Sequence, residues 1–561
     1  MRFNDGIRKT RQIKFGGLNH TAGASDGEIF DMENICTDDF PVLSSRKRRY
    51  SVDHGVSYPY DIYTDGNELI LFNLASGSGN NFFYGGVAKG HVSNELPKQC
   101  ATIGGVTVIF PDKAYYNANT DEFGNLESTA EFPTGVTFED GIYAEEDAEE
   151  NTITVADDTF DFADYFRAND AVTISGCTVN PSNNKTAVIR EISGNQLRFF
   201  EHTFVNGTET GAITIKREVP DLDFVCVNEN RVWGCKGDEI RGSALGDVFN
   251  WNVFDGLDTD SFAVNTGSAG DFTACVSYAG YPVFFKEDQV YKMYGNKPSN
   301  FEILGAARSG VKKGCYRSLA VAAETLFYLS PSGVVAYSGG MPQSLAEPFG
   351  DLRFTESVAG SDGIKYYASM VDQNGGRHLY VYDTVHGMWS IEDGYRYEGF
   401  SLIHGNLIGL VTTGGSYRCD IVGEPNGEVP TGGVENYPGS SVEFADFTAS
   451  AGSSGGYSSD PNYKGISKIQ LRVETEGALR VYIMYDQSGT WEQVGRQLGY
   501  EGDHDDGERK QSFYLPIIPR RCDNFRIKLE CDYRFRLYSL AIETYSGSEL
   551  PTGNGLQTGR R

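Results

Sequence analysis

Hydrophobic and polar residues alternate over short segments in the last part of the chain, and strict alternation is the pattern of β-strands with one buried and one solvated face. Six segments share this pattern: 469–473, 479–485, 491–494, 512–515, 524–529 and 535–540. Together they predict a C-terminal β-sandwich domain, jelly-roll-like, over residues 463–547. A Gly- and Ser-rich linker over 424–462 precedes it, and residues 548–561 are predicted to form a flexible tail.

Pairs of short strands separated by glycine-containing turns recur earlier in the chain. The segment 100–110 is predicted to form two strands around Gly104 and Gly105, residues that a tight hairpin turn favours. Similar strand pairs are predicted within 224–235, 326–337, 378–389 and 407–419. Such units, several of which end in Tyr or Trp, predict a β-propeller formed by residues 51–133 and 218–423. No strict repeat is visible, so the number of blades stays open.

An acidic segment interrupts the predicted propeller. Residues 120–166 contain fifteen Asp and Glu side chains and no Lys or Arg. Further strands are predicted at 171–176, 187–192, 196–201 and 212–215. The charge bias and the strand spacing predict that residues 134–217 form a small acidic β-barrel inserted into the propeller.

Residues 1–50 are predicted to form an N-terminal assembly segment. Ile29, Met32 and Ile35 suit one face of a short helix, with Ser25 or Asp26 as its N-cap. The basic run Arg46-Lys47-Arg48-Arg49 follows. It fits a contact with a phosphate group or a partner protein, and it also fits the solvated end of a strand.

Composition supports an all-β fold and narrows the function. Gly is abundant at 67 residues, and Tyr and Phe together also number 67 (33 and 34), a blend that suits turns and strands more than helices. The chain carries 48 Lys and Arg against 77 Asp and Glu, a net charge of −29. That balance argues against a protein whose main surface grips a phosphate backbone. No apolar run is long enough to span a membrane, and the N-terminus has no apolar signal core, so we expect neither a membrane span nor classical secretion.

The sequence offers little catalytic or metal-binding chemistry. The ten cysteines include no C-x-x-C pair, and Cys226 and Cys235 enclose eight residues, the spacing of neither a zinc nor a redox motif. We interpret all ten as free thiols of a protein made in a reducing cytoplasm. The nucleophile, zinc-protease and phosphate-loop motifs are absent from the sequence, and His378 and His386 are a weak metal pair. We therefore expect no cofactor and no enzymatic activity, with a carbohydrate-active enzyme as a minor alternative.

Three stretches of the chain carry a family resemblance. They are the opening (15–19, 26–28, 31–34, 41–44 and Arg46), the region 230–295 (230–235, 243–247, 251–252, 258–261, 280–287 and 294–295) and the segment 512–523. In these residues the chain resembles the packaged-DNA stabilisation, or tail-nozzle-like, β-propeller proteins of tailed-phage virions. The resemblance implies a structural virion protein that assembles as a ring, expected to be a hexamer, below the portal and its adaptor ring. Such a ring extends the DNA channel, lets double-stranded DNA pass without sequence preference, and helps retain the packaged genome. It would be assembled in the host cytoplasm and located in the virion tail.

Two sets of residues are candidates for this role. Because acidic groups repel phosphate and let DNA slide, one set is predicted to face the channel: Glu145, Glu146, Asp147, Glu149 and Glu150. The other set is predicted to make assembly contacts: Arg46, Lys47, Arg48, Arg49, Arg520 and Arg521. Removal of the first fifty residues is then expected to leave a folded but poorly assembling protein. An alternative function is a host-recognition or fibre-attachment protein of the tail, which would bind the cell surface.

Overall fold

The computed structural model describes residues 7–549, apart from 22–23, 25–26, 75–78, 95–96, 141–150, 201–203, 424, 428–431, 448–461 and 499–509. The described chain is all-β, as predicted, and is organised in many small sheets. Its helical segments are short 3-10 turns at Phe162–Asp164, Pro181–Asn183, Pro298–Asn300, Tyr316–Ser318 and Glu347–Phe349. The chain divides into two compact units. We call His54–Tyr316 the middle unit, and Met1–Asp53 with Arg317–Arg561 the terminal unit.

The chain begins with five short strands of the terminal unit. They are β1 (Ile7–Gln12), β2 (Ile29–Glu33), β3 (Ile35–Cys36), β4 (Leu43–Ser45) and β5 (Tyr50–Val52). The predicted short helix is therefore wrong, because its residues form β2 and β3. A bulge between Ile29 and Asp31 supplies the reason, since the extra residue lets Ile29 and Met32 both point inward although they are three apart. The buried residues of this strand are therefore three positions apart, as they would be on one face of a helix.

The middle unit contains four sheets of the same kind, each made of four consecutive antiparallel strands. We call such a sheet a meander. The first two are β6 (Pro59–Thr64), β7 (Leu69–Asn73), β8 (Phe82–Tyr84), β9 (Val87–Gly90), and β10 (Gln99–Ile103), β11 (Val106–Phe110), β12 (Ala114–Asn117), β13 (Glu122–Asn125). The predicted hairpin at 100–110 is confirmed. Gly104 and Gly105 turn between β10 and β11 with φ of 58° and 86°, the left-handed pair that this hairpin needs.

An eight-stranded sheet is inserted between the second and third meanders. Its strands are β14 (Ser128–Phe132), β15 (Val136–Glu139), β16 (Thr152–Val155), β17 (Ala171–Ser175), β18 (Thr186–Ser193), β19 (Gln196–Phe199), β20 (Gly207–Glu209) and β21 (Ile213–Arg217). Within the described residues the order is β14-β21-β17-β18-β19-β16-β15-β20, and the sheet stays open between its end strands. It begins at Ser128, slightly before the predicted start of the insertion, and its hydrophobic core is built from residues of the insertion itself.

Two further meanders complete the middle unit. They are β22 (Phe224–Asn228), β23 (Arg231–Lys236), β24 (Glu239–Gly242), β25 (Phe262–Asn265), and β26 (Ala274–Tyr278), β27 (Tyr281–Phe285), β28 (Gln289–Tyr294), β29 (Glu302–Ala307). The first strands β10, β22 and β26 lie side by side. Alternate residues of β22 enter the hydrophobic layers on its two sides, Val225 in one and Cys226 in the other. Consecutive meanders therefore pack face to face.

The terminal unit repeats the meander three times. The strands are β30 (Ala320–Ala322), β31 (Thr325–Ser330), β32 (Gly333–Tyr337), β33 (Gln343–Ser344), then β34 (Phe354–Ser361), β35 (Lys365–Asp372), β36 (Arg377–Asp383), β37 (Met388–Asp393), then β38 (Arg396–Ile403), β39 (Asn406–Thr413), β40 (Ser416–Val422). Again the first strands β30, β34 and β38 lie side by side. The last meander takes its fourth strand from the start of the chain, because β5 pairs with β40 through Val52 and Cys419.

Two larger sheets finish the terminal unit. Their later strands are β41 (Ser440–Phe444), β42 (Asn462–Thr475), β43 (Leu479–Tyr485), β44 (Glu492–Gln493), β45 (Gln511–Pro516), β46 (Arg521–Cys522), β47 (Phe525–Cys531) and β48 (Phe535–Glu549). The seven-stranded sheet runs β3-β4-β48-β42-β45, with β1 and β46 at its sides, and the five-stranded sheet runs β2-β41-β47-β43-β44. Strands predicted from alternation in this region are confirmed, with every second residue of β47 buried. The N-terminal strands β1 to β4 are members of these sheets.

Candidate functional site

The acidic residues predicted to face a channel lie outside the described residues. Glu145, Glu146, Asp147, Glu149 and Glu150 fall between β15 and β16, which pair with each other. Their orientation toward a channel stays a prediction.

Two described acids of the same acidic segment pair with lysines of the middle unit. Glu127 accepts from the Lys113 ammonium at 2.8 Å, which Asp221 outside the segment also contacts at 2.8 Å, and Asp121 pairs with Lys89 at 2.6 Å. The net negative charge around these residues is therefore smaller than the number of acidic residues in the segment suggests.

Arg46 is buried in the terminal unit and belongs to a cluster of charged groups. It follows β4, and its guanidinium donates to both carboxylate oxygens of Glu435 at 2.7 and 2.9 Å. Its Nε donates to the Asn34 side-chain oxygen at 2.8 Å. The guanidinium is only 3% exposed, so this two-pronged pair is protected from solvent screening.

Arg49 extends the same cluster just before β5. Its guanidinium donates to Glu392 at 2.8 Å and also contacts Asp393 and the Tyr397 hydroxyl. Glu392 and Asp393 are the last residues of β37. The cluster thus joins the loop between β4 and β5 to the end of a meander strand and to the segment that carries Glu435; we call it the junction cluster.

The environment of the junction cluster shifts the pKa values of its carboxylic acids in opposite directions. Burial alone would raise the pKa of Glu435, but hydrogen bonds and charge from Arg46, together with the charge of Arg49, lower it to about 2. Burial raises the pKa of Glu392, and the nearby Arg49 and Arg46 offset only part of that effect. Burial favours the neutral form of Arg49, but Asp393, Tyr397, Glu392 and Glu435 together outweigh it and hold the Arg49 pKa well above its usual value.

The basic run is thus largely internal. Arg46 and Arg49 are neutralised by carboxylates of their own chain, so they do not provide the exposed contacts that the sequence suggested. The two residues between them are more accessible, and the Arg48 guanidinium lies 4.3 Å from the centre of the Tyr437 ring. For Lys47 and Arg48 an assembly contact stays a prediction.

The second predicted pair, Arg520 and Arg521, lies at the surface. Arg520 is 56% exposed at its side chain and pairs with the equally accessible Glu492 at 2.6 Å, and Arg521 is exposed on β46. Ile518, two residues before Arg520, is 91% exposed, and Tyr514 on β45 is 61% exposed. In the described part of the chain β45 has a strand partner on one side only, β42. We call residues 514–521 the edge surface; it combines apolar and cationic side chains at a sheet edge.

Other basic residues of the two larger sheets do not form one surface. Arg472 and Arg536 belong to the seven-stranded sheet, whereas Arg480, Arg526 and Lys528 belong to the five-stranded sheet. All but Arg472 have a carboxylate within 3 Å, as for Arg536 with Asp39 at 2.8 Å and Arg526 with Glu443 at 2.7 Å. These pairs reduce the net positive charge of both faces.

The acidic partners Glu392, Asp393 and Glu435 were not identified from the sequence. Each lies more than 340 positions from its arginine, and the only local signal is an acidic pair at the end of a strand. The His386 ring donates from Nδ1 to the Asp383 carboxylate, 2.8 Å away, and is not paired with His378. Among the described residues no group of three or more His, Cys, Asp or Glu is arranged to hold a metal ion. In the same residues no helix is long and apolar enough to cross a membrane.

Comparison with known proteins adds little to these observations. No protein-family model matches the chain, and no curated protein matches it. Among solved structures, a mitotic checkpoint complex aligns at 6% identity and a TM-score of 0.28, over 68% of this chain and 95% of that one. A Trypanosoma rangeli sialidase with sialic acid aligns at 12% identity and a TM-score of 0.20, over 90% and 96%. A Bacillus thuringiensis Cry1Da core variant aligns at 9% identity and 0.16, over 58% and 50%. At these TM-scores none of the three informs the fold or the function.

Proposed function

We propose that the chain is a structural component of a tailed-phage virion that forms a ring, as a hexamer, at the portal and tail. The ring extends the DNA channel and helps retain packaged DNA. The observation that carries the proposal is the repeated meander: four in the middle unit and three in the terminal unit, among the described residues, with β5 from the start of the chain completing the last. These are the features of propeller blades, and the family that the sequence resembles is built on a propeller.

In this proposal the meanders are blades of a β-propeller. Face-to-face packing within each unit and the side-by-side first strands support it. The inserted sheet then forms a small barrel-like domain and the two larger sheets form a β-sandwich. Such a rigid scaffold suits a part that must hold its shape while DNA moves past it.

The edge surface is the proposed assembly contact. An exposed apolar side chain at 91%, next to two arginines at a sheet edge, is a surface that a neighbouring subunit or adaptor protein would cover. Arg46 and Arg49 hold the chain's own elements together instead. Assembly therefore depends on Ile518, Arg520 and Arg521 more than on the basic run.

The proposal is tested by oligomeric state. Light scattering and negative-stain imaging of the purified chain, alone and with a portal–adaptor complex, should give rings of about six copies with a central hole. A monomer or trimer that ignores the portal and binds host cells would overturn the proposal in favour of host recognition.

A paired substitution sharpens this test. Ile518→Asp combined with Arg520→Glu should reduce ring formation at least tenfold while leaving the melting temperature within about 2 °C, because both side chains are exposed. Val385→Asp, at a residue 71% exposed elsewhere in the terminal unit, is the matched control and should assemble normally. Equal assembly of all three proteins would exclude the edge surface as the contact without excluding the ring.

A further inference from the structure

Three cysteines of the middle unit meet in space although the sequence gives them no motif. Cys226 lies on β22, Cys235 on β23 and Cys275 on β26. All three side chains belong to one hydrophobic cluster, with Cys235 buried within it and Cys226 and Cys275 packed against it. The three cysteines therefore lie in one cluster that spans two consecutive meanders.

The backbone positions Cys226 and Cys275 opposite each other. Their strands, β22 and β26, are the neighbouring first strands of the two meanders. Two residues beyond each cysteine, the Ser277 hydroxyl donates to the Asn228 side-chain oxygen at 2.8 Å. Since side chains two apart on a strand share a face, Cys226 and Cys275 lie on the same faces of their strands as the two residues of this hydrogen bond.

We propose that Cys275 is an oxidation site that forms a disulfide with Cys226, with Cys235 as the third thiol able to exchange into the bond. The disulfide is a covalent staple between two consecutive meanders. It is open in a reducing compartment and closed in an oxidising one.

The chemistry requires an oxidant, which is an organic disulfide. The Cys275 thiolate attacks one sulfur of the oxidant, the oxidant's S–S bond breaks, and one thiol leaves and takes up a proton. The Cys226 thiolate then attacks the Cys275 sulfur and releases the second thiol. Two protein thiols are oxidised to one disulfide, and the oxidant is reduced to two thiols.

Access and environment set the rate of this reaction. Cys226 and Cys275 are partly exposed, whereas Cys235 is fully buried beside Trp233 and Phe272. The neighbouring Cys275 thiol and burial raise the pKa of Cys226 well above its usual value, and burial does the same for Cys275. Because the thiolate is the reacting form, closure is slow at neutral pH and accelerates about tenfold per pH unit.

The test uses the full-length chain and bis(2-hydroxyethyl) disulfide as the probe. After incubation under native conditions at pH 7 and pH 8, free thiols are alkylated and the peptides are mapped by mass spectrometry. We expect one cross-link per chain between the Cys226 and Cys275 peptides, with a minor Cys235–Cys275 form, and a rate about tenfold higher at pH 8. The closed loop spans about fifty residues, so oxidised chain should melt several degrees higher than reduced chain.

Two variants decide the outcome. Cys275→Ser should abolish the cross-link and the rise in melting temperature, whereas Cys419→Ser, at a buried thiol on β40, should change neither. No cross-link in the wild-type chain, a mixed disulfide that never closes, or a cross-link that persists in Cys275→Ser would each overturn the proposal.

Discussion

Arg46 and Arg49 are matched to carboxylates that lie 389 and 343 positions away in the chain. Both arginine side chains are nearly inaccessible to solvent, so water screens these ion pairs very little. Removing one partner would leave an unpaired charge in the protein interior, which is strongly destabilising. The basic run could be read from the sequence as a charged patch, but its partners could not, because nothing local marks Glu435 as its counterion. Arg46 and Arg49 of the run form an internal junction, because their carboxylate partners come from distant parts of the chain.

Glu435 should make the terminal unit acid-sensitive. Its folded pKa of about 2 lies below the ordinary 4.5, so the unfolded chain binds more protons between these values and stability falls as pH drops through them. The full contribution, about 3 kcal/mol by this difference, is present above pH 4.5. Glu435→Gln should lower the melting temperature at pH 7 and should converge on the wild type near pH 2, as followed by thermal unfolding across this range.

A matched exposed pair supplies the control for Glu435. Glu492 pairs with Arg520 at 2.6 Å, but about half of each side chain is accessible. Glu492→Gln should therefore cost less than about 1 kcal/mol and leave the acid profile unchanged. A Glu435→Gln protein as stable as the wild type at pH 7 would contradict the role given to the junction cluster.

At the scale of elements, the N-terminal strands are structural parts of distant sheets. β1 and β4 pair with β48, β2 pairs with β41, and β5 pairs with β40. These pairings satisfy backbone groups and complete three sheets whose other strands come from the last third of the chain. The N-terminal strands therefore do not form an independent arm for assembly.

Removal of residues 1–53 should therefore damage folding as well as assembly. The truncation exposes the backbone edges of three sheets, so we expect aggregation or a fall of at least about 10 °C in the melting transition of the terminal unit. Circular dichroism and limited proteolysis measure this. A chain that lacks only residues 1–6, which precede β1, is the control and should melt like the full-length protein. A soluble 54–561 chain with an unchanged melting transition would refute the expectation.

Local patterns predicted the elements better than their pairing. Gly104-Gly105 marks a hairpin because glycine readily adopts the two left-handed conformations of a type I′ turn, and the alternation in β47 marks a half-buried strand. The strand β2 was mistaken for a helix because a bulge shifts the phase of its buried residues. Strands β1 to β5 join their sheets mainly through partner strands hundreds of residues away. Hydrophobic periodicity predicts that a segment is a strand, but it does not predict which strand it will pair with.

At the scale of the whole molecule, the net charge of −29 dominates any encounter with nucleic acid. Ion pairs within the chain neutralise many of the cations, as at Lys113 and Arg526. We therefore expect the negative charge of the protein to repel the phosphate backbone of DNA over most of the protein surface. This property suits the proposed channel, through which DNA must pass without being held.

The intact chain should not bind double-stranded DNA. Fluorescence anisotropy with a short duplex at about 150 mM salt should show no saturable signal up to about 100 µM protein, the weak end of the range of ordinary non-specific binders. The matched control replaces Glu145, Glu146, Asp147, Glu149 and Glu150 with Lys, which creates a local basic segment and should produce weak, salt-dependent binding. Salt-dependent binding by the unmodified chain would contradict the repulsion.

The inserted sheet enters and leaves its host at one place. Ser128 at the start of β14 and Arg217 at the end of β21 are opposite each other in the ladder, about 5 Å apart by the geometry of paired strands. The insertion of some ninety residues therefore connects the neighbouring strands of the middle unit over the same short distance as a hairpin turn would. An insertion with adjacent ends can be lost, lengthened or replaced during evolution without changing the path of the rest of the chain. We therefore expect related proteins to differ most in the size and surface chemistry of this insertion, and least in the meanders around it.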